Sequence, residues 1–278
     1  MKFARPMFAP HTSLIERLWY FALRGLAVLT LIYLVLPVLV IVPLSFSSST
    51  FLAYPIPSYS LRWYQNLVSS DEWRMAAKNS FIVAPAATLV ATVFGTLAAI
   101  GLNQADFRGK ALLMAILVSP MIVPVVVVGV GMYLFFAPLG LANTYIGLIL
   151  AHAALGVPFV VTTVLATLQG FNHNLVRASL SLGANPVMTF FRITLPVIAP
   201  GVISGALFAF ATSFDEVVVT LFLAGADQVT LPRQMFTGIR ENISPTIAAL
   251  ATILIVFSTC LLLTFEWLRG RAAAKAVA

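Results

Sequence analysis

The chain has 278 residues, of which 60% are hydrophobic and 9% charged, with a formal net charge of +7 at pH 7. Soluble domains carry about 25% charged residues, so this composition, with a mean hydropathy of +1.00, excludes an ordinary water-soluble enzyme and points to lipid. The basic residues are dispersed among loops rather than gathered into a stripe, which argues against a nucleic-acid surface, and the single cysteine, Cys260, leaves no intramolecular disulfide.

A helix crosses the hydrocarbon core with roughly 20 consecutive apolar residues. Six stretches reach that length: about 26–45, 80–102, 111–137, 144–169, 197–224 and 246–268. All six are expected to be helices, because lipid tolerates only helices and closed barrels and no period-2 strand pattern occurs. The first follows Lys2, Arg5, Arg17 and Arg24. It is read as a retained anchor, since its apolar run over 25–44 exceeds the ~7–15 residues of a cleaved signal.

The outer loop over 46–79 holds FLAYPIPSYSLRWYQNL and then SSDEWRMAAKNS, the latter expected as a surface helix with Asp71 and Glu72 near its start. Trp63, Tyr64 and Trp73 either form a belt at headgroup depth or face an external partner. The third stretch contains VSPMIVPVVVVGVG, an irregular element without a visible counterpart in the second half of the chain. With both termini in the cytoplasm, eleven basic residues lie inside: Lys2, Arg5, Arg17, Arg24, Arg108, Lys110, Arg177, Arg192, Arg269, Arg271 and Lys275. Five lie outside, namely Arg62, Arg74, Lys78, Arg233 and Arg240, which is the bias of the positive-inside rule. The chain then divides into a cytoplasmic N-terminal segment over 1–25, a membrane domain over 26–268 and a cytoplasmic tail over 269–278.

Residues 170–196 between the fourth and fifth stretches are too many for a tight turn. NHNLVRASLSL reads as a helix opened by Asn172 or Asn174 and ended by Gly183. Asn185 as cap and Pro186 at the first helical position start a second, VMTFFRI, before Leu195-Pro196 turns the chain into the fifth stretch. Ala178, Ser179 and Gly183 give this corner a small-residue face on which another surface can dock. The pattern Ala178-x4-Gly183-x9-Ile193-x-Leu195-Pro196 resembles the EAA loop of ATP-binding-cassette importer permeases, whose consensus is Glu-Ala-Ala followed by Gly, Ile and Leu-Pro at these intervals.

That resemblance implies an all-α, six-helix, type I importer permease fold. The loop over 170–196 would be a coupling helix that docks into an ATPase subunit through Arg177, Ala178, Ser179, Gly183, Ile193, Leu195 and Pro196. It further implies two cytoplasmic ATPases that bind ATP and Mg, a second permease subunit, a periplasmic substrate-binding protein and a place in the bacterial inner membrane. Arg177 stands where the family has Glu, and Ser179 replaces the second Ala. Either the ATPase offers Arg177 an acidic or carbonyl partner, or the second permease carries the usual Glu.

The fifth stretch contains ATSFDEVVVTLFLAG, with Asp215 and Glu216 in its outer half. An acid at the centre of a lone membrane helix costs about 2.5 to 3.5 kcal/mol on insertion scales, so neither is expected to face lipid. On a helix the two point about 100° apart, so one can line a pathway while the other meets a neighbouring helix. The alternative is an ion pair with Arg233, Arg240 or a base of another subunit. Under the pathway reading Ser213 and Thr220 supply hydroxyls beside the acids. FDEVVVTLFLAG, followed by TLPRQMFTGIRENISPTIAALATI, is similar to the polyamine (spermidine/putrescine) branch of these permeases, specifically its second permease subunit. Branches that carry opines, amino acids or phosphonates share much of the pattern.

His11, His152 and His173 are scattered without metal-ligand spacing and are expected to be structural. There is no Gly-x4-Gly-Lys-Ser/Thr sequence, hence no nucleotide site or other cofactor site in this chain. An ion-coupled secondary transporter would show paired broken helices in two halves, and a polytopic membrane enzyme would show a catalytic cluster. The expectation is a permease subunit that performs no covalent chemistry.

Overall fold

The structure is a computed structural model that describes residues 13–241 and 244–277, with side chains described over 13–241 and 244–264. Lys2, Arg5 and His11 lie outside the described residues, and the side chains of Arg269, Arg271 and Lys275 are likewise not described. The described chain is helical, with an isolated antiparallel bridge between Ser47 and Tyr59. In order the helices are α1 (Leu14–Leu44), α2 (Arg62–Ser69), α3 (Asp71–Gln104), α4 (Lys110–Val118), α5 (Val125–Phe136) and α6 (Tyr145–Leu168). There follow α7 (Asn174–Ser181), α8 (Pro186–Thr189), α9 (Leu195–Phe214), α10 (Val218–Leu223), α11 (Leu231–Glu241) and α12 (Pro245–Val277). Among the described residues five helical segments are long and apolar enough to cross a membrane, and six if the bent pair Lys110–Met121 and Val125–Phe136 counts as one span.

The described chain forms two units, residues 13–65 with 244–256 and residues 66–241 with 257–277. In the first, α1 opens with a capping box in which Ser13 N donates to Glu16 Oε2 at 2.7 Å and Glu16 N to Ser13 Oγ at 3.3 Å. Its apolar face runs round the whole helix and none of its residues is buried, as suits a helix in lipid or against another subunit. The loop after it closes on itself: Trp63 Nε1 donates to Ser47 O at 2.8 Å, and the Tyr64 and Ser45 hydroxyls meet at 2.7 Å. Trp63 is buried and serves this closure.

In the second unit α3, α6 and α9 pack through small residues, with Ala87, Ala91, Ala99, Ala153 and Ala209 buried beside Val160, Val164 and Ile198. Small side chains let membrane helices approach closely, which gains dispersion energy where lipid leaves little hydrophobic drive. Gly205 shows how close: a Cβ there would stand 2.7 Å from the Val160 Cα, a backbone atom that cannot swing aside. Gly205→Leu is therefore expected to destabilise the bundle by about 1–3 kcal/mol, measured as a drop in the thermal unfolding midpoint of the detergent-solubilised protein.

Two elements differ from their sequence expectations, and the third stretch has the irregularity expected of it. The surface helix over SSDEWRMAAKNS is the first part of α3 itself: Ser70 caps it, Asp71 and Glu72 sit in its first turn, and no breaker intervenes before the apolar run. The third stretch bends by 107° between α4 and α5. Pro120 and Pro124 cause this, because neither has an N–H to give, and Pro124, in an extended conformation, opens α5. The fifth stretch stops at Phe214 and resumes at Val218, so it too is interrupted, and α10 packs on α5 through Val219, Leu223, Val125 and Val128. The second half of the chain thus has the broken element that its sequence did not display.

Candidate functional site

The loop over 170–196 has the corner that its residues call for. Gly183 lies at φ +86°, the left-handed region open to glycine. It completes a Schellman ending of α7, with Gly183 N donating to Leu180 O at 3.0 Å and Ala184 N to Ser179 O at 3.2 Å. Beyond its chain neighbours, no atom of the described residues lies within 4 Å of the place a Gly183 Cβ would take, so the requirement is conformational rather than steric. Asn185 then caps α8, its Oδ1 accepting from Met188 N at 2.7 Å, with Pro186 at the first position. The Ser179 and Thr189 hydroxyls meet at 2.9 Å and tie α7 to α8.

Leu195-Pro196 does not turn the chain. Phe190–Thr194 forms a π-helical turn that joins α8 to α9 in one path, with Leu195 N reaching back to Phe190 O. Pro196 explains the widening, since it has no N–H for the Arg192 carbonyl and its ring crowds that carbonyl in a regular α-helix. Ile193 and Leu195 are half-buried, Leu195 against the α3–α6–α9 core, whereas Pro196, Arg177, Ala178 and Arg192 are exposed. Around Arg177 the loop exposes Leu175, Leu180, Leu182, Val187 and Phe191, with Leu182 at the corner 89% exposed. The result is an apolar knob carrying a cation that forms no ion pair among the described residues.

The second site is the break between α9 and α10. Asp215 and Glu216 sit in it and not on a continuous helix, so helical geometry does not set their directions. Asp215 is exposed, and its carboxylate meets no cation among the described residues. Glu216 is half-buried and turns back on α10, its Oε1 accepting from Val219 N at 2.8 Å. Arg233 is at the other end of α10, with Nη1 donating to Ala224 O at 2.7 Å and Gly225 O at 3.3 Å. Partial burial draws the Arg233 guanidinium below the usual arginine pKa range. An acid at the N-terminus and a base at the C-terminus both favour the helix dipole, so Glu216 and Arg233 are the two caps of one short helix rather than an ion pair. Arg240 instead lies over the Phe236 ring, at 5.9 Å from its centroid.

Ser213 and Thr220, read from the sequence as hydroxyls beside the acids, are buried and turned to His152 of α6. His152 Nδ1 lies 3.2 Å from Ser213 O and 2.9 Å from Ser213 Oγ, and Nε2 lies 3.0 Å from Thr220 Oγ1. In the sequence His152 reads only as one of three scattered histidines without metal-ligand spacing, expected to be structural. A second anchor has no counterpart in the sequence reading: Asn79 Nδ2 donates to Asp227 O and Val229 O, both at 2.8 Å, while Tyr145 OH donates to Asn79 Oδ1 at 2.7 Å. With Leu231 N donating to Ser80 Oγ at 2.8 Å, these bonds hold the segment after α10 to the head of α3. The available signal was Asn79-Ser80 at the start of an apolar run, too common a pattern to be decisive.

Long apolar helices with two interruptions, joined by a polar, apolar-tipped loop, define a multi-pass membrane protein. Residues 91–273 match the family described as binding-protein-dependent transport system inner membrane component, and the chain belongs to that family. It is thus the non-catalytic, membrane-spanning subunit of an ATP-binding-cassette importer, in the inner membrane, and ATP is hydrolysed by partner subunits. The chain is 34% identical to the spermidine/putrescine transport system permease protein PotC of Haemophilus influenzae, over 82% of this chain and 89% of that one. It is 33% identical to the putrescine transport system permease protein PotI of Escherichia coli, over 80% of this chain and 82% of that one. A crystal structure of a bacterial ABC transporter for import of the acidic polysaccharide alginate superposes with a TM-score of 0.72 at 14% identity, covering 94% of this chain and 99% of that one. At that identity the likeness is one of fold.

Proposed function

We propose that this permease subunit forms the translocation pathway for polyamines such as spermidine and putrescine, with Asp215 as its own contact to the cationic cargo. The observation that carries the reading is the kinship to PotC at 34% identity over 82% of the chain. The exposed and unpaired Asp215 carboxylate agrees with it, because an ammonium group is attracted to such an acid more strongly in a partly dry passage than in water. Glu216 supports the site as the cap of α10, and Ser213 and Thr220 support it through His152.

On this reading both termini lie in the cytoplasm, and the loop over 170–196 docks into an ATPase subunit with Leu182 and Arg177 at the contact. The complex contains a second, different permease that supplies the usual Glu, two ATPases and a periplasmic binding protein. Labelled spermidine uptake by the reconstituted complex tests the substrate class. Excess putrescine is expected to compete, whereas opines, neutral amino acids and phosphonates are not; competition by one of the latter alone would assign the chain to another branch.

A further inference from the structure

We propose that His152 is a positioning residue for transport: its imidazole bridges the α9–α10 break and sets how Asp215 is presented to the cargo. The proposal rests on the reading of Asp215 given above. His152 is 1% exposed, and it reaches Ser213 on the last turn of α9 and Thr220 on α10, the two sides of the break. Either tautomer completes the bridge: Nδ1–H donates to Ser213 O while Nε2 accepts from the Thr220 hydroxyl, or Nε2–H donates to Thr220 Oγ1, whose proton goes to Glu216 O, while Nδ1 accepts from the Ser213 hydroxyl. Both ring nitrogens are then satisfied, each by a different helix segment.

The backbone does not fix this angle by itself. Asp215 N still closes on Ala211 O and Leu221 N on Val217 O, but those bonds belong to α9 and α10 separately. The Thr220 hydroxyl also stands 3.3 Å from Glu216 O, within the break itself. Removal of the imidazole would leave the buried Ser213 hydroxyl without this partner and remove the side-chain tie between the two sides of the break. A glutamine offers one donor and one acceptor at a spacing like that of the two ring nitrogens, so it can restore the bridge.

The test uses the reconstituted complex on a Cys260→Ser background, with Val217→Cys as a reporter inside the break. Val217 is half-buried in the native chain. His152→Ala is expected to speed labelling by a membrane-impermeant thiol reagent and, without the reporter, to raise the KM for spermidine about tenfold, the effect of roughly one lost hydrogen bond. The maximal uptake rate should stay within about twofold, and His152→Gln should restore both readouts. Thr220→Val, which removes one end of the bridge and keeps the histidine, should act in the same direction and serves if His152→Ala fails to assemble. Unchanged labelling, or a KM that does not move, would overturn the proposal; so would a loss confined to maximal rate in every variant, as for a residue needed only for folding. Asp215→Asn is run in parallel. If it leaves KM unaltered while His152→Ala raises it, the cargo contact assigned to Asp215 fails and the positioning of the break stands.

Discussion

Gly183→Val is expected to lower ATP-driven uptake by more than tenfold, on the order of the coupling lost when about 1.4 kcal/mol is forfeited, with the subunit still present in the membrane. The residue lies at φ +86°, where a β-branched side chain is strained by about 1–3 kcal/mol. The chain relieves that strain by abandoning the corner, and the bonds from Gly183 N to Leu180 O and Ala184 N to Ser179 O go with it. Leu182 then no longer projects as an apex. The core beneath is untouched, because beyond its chain neighbours no atom of the described residues lies within 4 Å of the Gly183 Cβ position, so the fold should persist while the contact with the ATPase is lost. The measurements are uptake in proteoliposomes and ATPase activity stimulated by loaded binding protein; unimpaired stimulation would remove the loop from the coupling path.

Asp215→Asn should raise the KM for spermidine about tenfold or more, since a charge-assisted contact to an ammonium contributes about 1.5–3 kcal/mol. Glu216→Gln should have a smaller effect, because the amide keeps an oxygen that can accept from Val219 N and so retains the cap of α10. Spermidine uptake as a function of concentration separates the two. Equal losses in both variants would indicate that the acids share one role, contrary to their different exposures in the break.

These two sites differ in how far residues alone disclosed them. The corner at Gly183 and the cap at Asn185-Pro186 were legible, because glycine at a helix end and Asn-Pro at a helix start act through their own backbone. The path beyond is not legible at Leu195-Pro196: a proline after a short helix reads as a turn, yet here the helix absorbs it with one π turn. Asp215 and Glu216 were placed on a continuous span because the apolar run over 197–224 has no Gly or Pro between Gly205 and Gly225 to mark a stop. What interrupts it is capping by Glu216 and the reach of His152, whose partners lie 61 and 68 residues away in the chain. The ties to His152 are tertiary, and no local period carries them. The bend in the third stretch, by contrast, was visible as an irregularity, since its two prolines lie in the run itself.

The central claim is that this chain passes a polyamine through the membrane under ATP hydrolysis that enters at the loop over 170–196. Its most direct measurement is ATPase activity of the full reconstituted complex with its binding protein, with and without spermidine, in parallel with labelled spermidine accumulation inside the vesicles. The account predicts that spermidine-loaded binding protein stimulates hydrolysis and that accumulation follows it, with Gly183→Val lowering both by more than tenfold. Hydrolysis that ignores spermidine, or accumulation that survives loss of the loop's corner, would contradict it.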